Sequence, residues 1–115
     1  MSDTHAINIV RDAMAVLNAH TTPTAIAQFL EGGNVKGIRE DACACPIAVW
    51  INRKLWEGDC EDYSSHVTSS TVTVMYKDKD ETDTSIVEEI DFNSISPLGR
   101  FLFELDTGSY SKLIS

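Results

Sequence analysis

Apolar residues recur at helical spacing through the first half of the chain, and at every second position through much of the second half. Over residues 4–18, Ala6, Ile7, Val10, Ala13, Met14 and Leu17 share one side of a helical wheel, with Asn8, Arg11, Asp12 and Asn18 opposite. Ser2, Asp3 or Thr4 can cap the start. A second helix opens at Thr22-Pro23, with Thr22 as N-cap and the proline where its missing N–H costs nothing. It carries Ile26, Phe29 and Leu30 inward and stops at Gly32-Gly33. Residues 32–44, with Gly37, Asn34 and Asp41 among small side chains, predict an irregular connector. Cys45-Pro46 then starts a helix over 46–57, ended by Gly58. Ile47, Ala48, Ile51 and Leu55 form its core stripe, while Val49, Trp56 and, at the edge, Trp50 leave apolar surface elsewhere.

After an acidic, polar stretch at 59–65 the period changes to two. Ser65 to Thr68 and Thr71 to Tyr76 read as short Thr/Val-rich strands, Lys77 to Asp83 as a charged turn, and Thr84 to Phe92 as a third strand. In that strand Ile86, Val87 and Ile90 are the inward candidates. Ser96-Pro97 begins a helix through about Leu105, stopped at Gly108, after which Tyr110, Leu113 and Ile114 fold back onto the core. The order predicts an α+β fold with residues 1–115 in one domain: three N-terminal helices, a three-stranded antiparallel sheet and a C-terminal helix.

Composition bounds the function. With 115 residues, 43% of them hydrophobic, the chain can build one core without metal or disulfide staples. Its 18 acidic and 9 basic residues give a net charge of −9, opposite to what generic binding to nucleic acid or an anionic membrane requires. The acidity is uneven: residues 1–60 carry 7 acidic and 5 basic groups, residues 61–115 carry 11 and 4. No signal-like N-terminus and no long apolar run occur, and three cysteines are an odd number, so a cytoplasmic, reducing location is expected.

The most distinctive chemistry is Asp41-Ala-Cys43-Ala-Cys45-Pro46. A thiol at a helix N-terminus can be held as thiolate, so Cys45 with Cys43 as resolving partner is the enzyme alternative. The bland reading makes Cys45 a buried cap and Cys43 loop filler. Cys43, Cys45, Cys60 and His66 can be assembled on paper as a zinc set, but the spacings are wrong for it. Asp78, Asp80 and Glu89 have calcium-loop offsets, yet Asp83 stands where glycine is needed. The glycines at 32, 33 and 37 lack a phosphate-loop pattern. His5, His20 and His66 have no nucleophile or carboxylate at a predictive spacing, and read as surface or rim histidines. Neither metal nor cofactor is expected.

Three helices and a hairpin also follow the order of a winged helix-turn-helix, with Val49, Asn52, Arg53 and Trp56 on the exposed face of helix three. A long connector between helices two and three and an acidic hairpin tip weigh against DNA binding. The same four residues are the candidate partner-binding set. Trp and Arg are enriched at binding hot spots, and a Trp opposite the core stripe needs cover from the chain's own sheet or from a partner.

Gly37-Ile-Arg39, then Asp41 to Pro46-Ile-Ala48 running into an aliphatic-aromatic helix, and finally Phe103-Glu-Leu-Asp106-Thr-Gly108-Ser-Tyr110 together resemble a group of small uncharacterised proteins of actinobacteria and their phages. The resemblance covers about a third of the chain and implies provenance, without a mechanism. Taken together, these readings predict a small acidic, non-catalytic interaction protein that binds another macromolecule. A protein partner is expected, a homodimer is the variant of that idea, and membrane and nucleic acid are not expected.

Overall fold

Three of the four helices begin in one way, with a capping side chain followed by proline. The computed structural model describes residues 3–77 and 84–114. The helices are α1 (Asp3–Asn18), α2 (Pro23–Gly32), α3 (Pro46–Glu57) and α4 (Pro97–Asp106), and the strands are β1 (Tyr63–Val67), β2 (Thr71–Tyr76) and β3 (Ser85–Asp91). Thr22, Cys45 and Ser96 each sit in extended backbone and accept from the amide three residues on, at Ala25, Ala48 and Gly99. This fills one of the donors that every helix start leaves open. The charged turn, including Asp78, Asp80 and Asp83, lies outside the described residues, as does Ser2.

The sheet is antiparallel throughout in the order β1-β2-β3, so the α+β architecture is the one expected. One face of the sheet packs against α3 and α1, while α2 pairs with α4 and α4 also packs against α1. The core joins Val10 and Leu17 of α1, Ile26 and Leu30 of α2, Ile47, Ile51 and Leu55 of α3, Val72 and Val74 of β2, and Phe101 and Leu105 of α4. Leu113 is fully buried, and Tyr110 stacks on Phe101 with centroids 5.1 Å apart, so the C-terminal segment does fold back.

Three details differ from the pattern. The first strand starts two residues early, because Tyr63 pairs with Tyr76 and is buried despite its acidic surroundings. Ile86 points outward and is 65% exposed. Val74 pairs with Glu88 but Met75 pairs with Ile86, which leaves Val87 as the extra residue of a bulge. Because side chains alternate, one extra residue moves Ile86 to the opposite face. The aromatic assignments on α2 and α3 also exchange places: Phe29 is half-exposed, whereas Trp50 is buried, with Phe29 edge-on 5.5 Å away and the Lys54 ammonium 5.4 Å over its ring.

Candidate functional site

The cysteine-rich connector is a closed knot. Gly37 donates its amide to Leu113 O and forms a parallel bridge with Ile114, and Ile38 N–H donates to Ala44 O. A Cβ on Gly37 would lie 2.5 Å from both Ala44 O and Pro46 N, so only glycine lets the connector cross the start of α3 there. Arg39 donates from Nε to Leu105 O at 2.8 Å and from Nη2 to Ser109 O at 3.3 Å, closing the end of α4. The three short segments singled out in the sequence therefore meet in one place, and their polar groups are spent on one another.

Within this knot Cys45 is 4% exposed and its Sγ accepts from Ala48 N–H at 3.5 Å. Burial pushes its thiol pKa up, against the opposing pull of the Ala48 and Ile47 amides, and Asp106 and Asp41 add negative charge. Cys45 is thus a protonated cap, the bland reading of the motif, and not the thiolate of the enzyme alternative, because desolvation outweighs the helix terminus. Cys43 lies exposed on a turn held by Asp41 Oδ1, which accepts from the amides of Cys43 and Ala44. Cys60 is buried at the other end of α3, and burial, then Asp59 and Glu61, raise its pKa. The zinc set does not assemble: the twelve residues of α3 separate Cys45 from Cys60, and no metal-holding group of three ligands occurs among the described residues. The histidines are dispersed. His5 Nε2 meets Gly58 O, His20 Nδ1 meets Val16 O, and His66 lies half-buried on the outer sheet face.

The four candidate residues on α3 separate into different duties. Val49 is half-buried against the core. Asn52 Oδ1 accepts from both the amide and the hydroxyl of Ser65 at 2.8 Å, and the same buried hydroxyl, with its one hydrogen, lies 3.3 Å from Ala48 O as a second acceptor. This matters for the sheet edge, because β1 is an outer strand. Its amides at Tyr63, Ser65 and Val67 donate to Cys60 O, Asn52 Oδ1 and Ala42 O. Edge strands left open invite pairing with another chain, and this one is closed by its own neighbours. Arg53 is exposed but donates to Gly33 O at 2.8 Å, tying α3 to the end of α2.

Trp56 remains. It is 71% exposed, and the sheet does not cover it. Its indole stands between two shallow hollows. One, of about 360 Å³, is lined by Asn52, Glu61, Tyr63 and Ser64; the other, of about 470 Å³, by Arg53 and Glu57. Just beyond Trp56 the chain reverses at Gly58 and Asp59, whose φ of 61° lets Cys60 N–H donate back to Leu55 O. That reversal returns Glu61 to the indole's side. Glu61, Tyr63 and Ser64 were not singled out from the sequence. The signal was the run Glu57-Gly-Asp-Cys-Glu-Asp62, four carboxylates immediately after an exposed tryptophan, with a glycine to turn them back.

No family model, curated protein or solved structure matches this chain. No helix among the described residues is long and apolar enough to cross a membrane.

Proposed function

We propose that this chain is a small acidic interaction protein without catalytic activity, acting by binding another macromolecule, and that α3's exposed C-terminal end is the contact surface. The observation that carries the reading is Trp56, a large aromatic side chain 71% exposed on a helix whose opposite face is fully buried. Large exposed aromatics are the residue class that dominates binding energy at protein interfaces. The thiol alternative is weakened by Cys45, whose sulfur is buried and engaged as a helix cap. The winged-helix alternative is weakened by Val49 and Asn52, which serve the core and the β1 edge on the face that would enter a groove. A phage or actinobacterial provenance, with action in the cytoplasm, belongs to the same proposal.

Affinity capture from the native cell with wild-type and Trp56→Ala baits tests it. The variant is expected to keep its thermal midpoint and to lose the captured partner. Equal capture by both baits would refute the assignment of the surface.

A further inference from the structure

We propose that the hollow between Trp56 and Glu61 receives an arginine or lysine side chain from a basic segment of a partner protein. This rests on the reading of Trp56 as the contact surface and deepens it by naming the partner's chemistry. The indole is the aromatic ring that attracts cations most strongly, and it does so through its face. On one side of Trp56 the hollow already contains Arg53, which repels a second cation, and Glu57, whose carboxylate is 3.4 Å from Lys54 Nζ. On the other side the lining is Asn52, Glu61, Tyr63 and Ser64, with no basic residue. Glu61 has no ion-pair partner among the described residues, and its neighbours Asp59 and Asp62 extend the negative field. A cation entering there meets the indole and an uncommitted carboxylate together, and the net charge of −9 favours the approach of basic segments.

The surface continues beyond the hollow. Ser64 is paired with Met75, and Met75 with Ile86, so these three side chains form a row on the sheet's outer face. The bulge at Val87 is what places Ile86 in that row, 65% exposed. Two strand spacings separate Ser64 from Ile86, roughly 10 Å, which about three residues of extended chain can span. The fitting segment therefore carries a basic residue followed, three or four positions on, by an aliphatic one.

The probe is a single-arginine peptide, acetyl-Arg-Gly-Ser-Gly-Leu-amide, titrated into the full chain at physiological salt and followed by amide and indole NMR shifts. Shifts are expected at the Trp56 indole N–H and at the Glu61 and Ser64 amides. Affinity should drop at least fivefold in both Trp56→Ala and Glu61→Gln and stay unchanged in Glu40→Gln, an exposed carboxylate of the connector at the opposite end of α3. The matched peptide with glutamate in place of arginine should not bind. Equal binding of the two peptides, unchanged affinity in Trp56→Ala, or shifts scattered over all acidic positions would overturn the proposal. A concentration-dependent dimer lost in Trp56→Ala would overturn it too, by assigning the surface to a second copy. If the cellular partner needs Trp56 but carries no basic segment that the peptide displaces, the cation inference falls while the contact surface stands.

Discussion

The two ends of α3 differ in almost every physical respect. At the N-terminal end Cys45 is buried, its sulfur takes an amide, and Gly37 crosses the helix start with no room for a methyl group. At the C-terminal end Trp56 stands in solvent among carboxylates, with Glu61 uncommitted. The N-terminal end carries the more distinctive sequence, yet its groups are consumed in holding the connector, α3 and the C-terminal segment together. The C-terminal end looks ordinary in sequence, yet it keeps apolar surface that folding has not used. Distinctive residues can therefore mark a joint, and unused surface is the better guide to where a partner binds.

The sharpest way to break this contrast is within α3 itself. Trp50→Ala removes a ring buried against Phe29 and should cost about 3–5 kcal/mol in urea denaturation, as large aromatic truncations in cores do. A loss below about 1 kcal/mol would mean that the site collapses around the smaller side chain or that Trp50 is not packed as described.

Gly37→Ala tests the crowding at the other end. The new methyl would meet backbone atoms of Ala44, Cys45 and Pro46 at 2.5–2.6 Å, and backbone cannot swing aside as a flexible side chain can. Destabilisation of about 3 kcal/mol is expected, measured by the same denaturation. A near-neutral result would show that the knot can open, contradicting its role as a joint.

Alkaline pH should then loosen the molecule. Burial raises the Cys45 and Cys60 thiols, and the Tyr63 phenol, donating to Asp3 Oδ1, is pushed up to about 12. Burial and the bond to Glu104 raise Tyr110 as well. Each raised group favours its protonated form in the folded chain. That stability is present in full below the unfolded values, about 8.5 for thiols and 10 for phenols, and is lost as pH rises through the folded ones. Unfolding free energy should be level near neutrality and fall between about pH 9 and 12. In Tyr63→Phe the part of that fall above pH 10 should shrink; an unchanged slope would remove Tyr63 from the account.

The smallest expected effect belongs to Trp56→Ala, within about 0.5 kcal/mol of wild type, because an exposed side chain away from caps and networks adds little to folding. A cost comparable to that of Trp50→Ala would show that the chain covers the ring in solution.

The parts legible in the sequence were those governed by local chemistry. Thr22-Pro23, Cys45-Pro46 and Ser96-Pro97 each couple a cap to a proline and mark a helix start to the residue. Thr71 to Tyr76, alternating around Val72 and Val74, is a strand with the limits expected. What the pattern missed depends on contacts distant in sequence. On a helical wheel Trp50 lies at the margin of the core stripe, and only the approach of Phe29 from α2 decides that it is buried. Ile86 alternates correctly with Ile90 until the bulge, a feature of pairing with β2 that leaves no trace in β3 itself. Asn52 belongs by its helix face to the partner-binding set, and its duty at the β1 edge depends on β1 running alongside α3. Glu61 became part of the Trp56 surface only once the reversal at Gly58 and Asp59 had brought it back.

The contrast between the two ends of α3 is tested most directly by photo-crosslinking in the native cell. A benzophenone amino acid would be placed at position 57, beside an intact Trp56, in one variant and at position 43 in another, both exposed and at opposite ends of the helix. The account predicts a discrete crosslinked protein from position 57 and none from position 43. The same product from position 43, or none from position 57 while the partner is still captured, would contradict it.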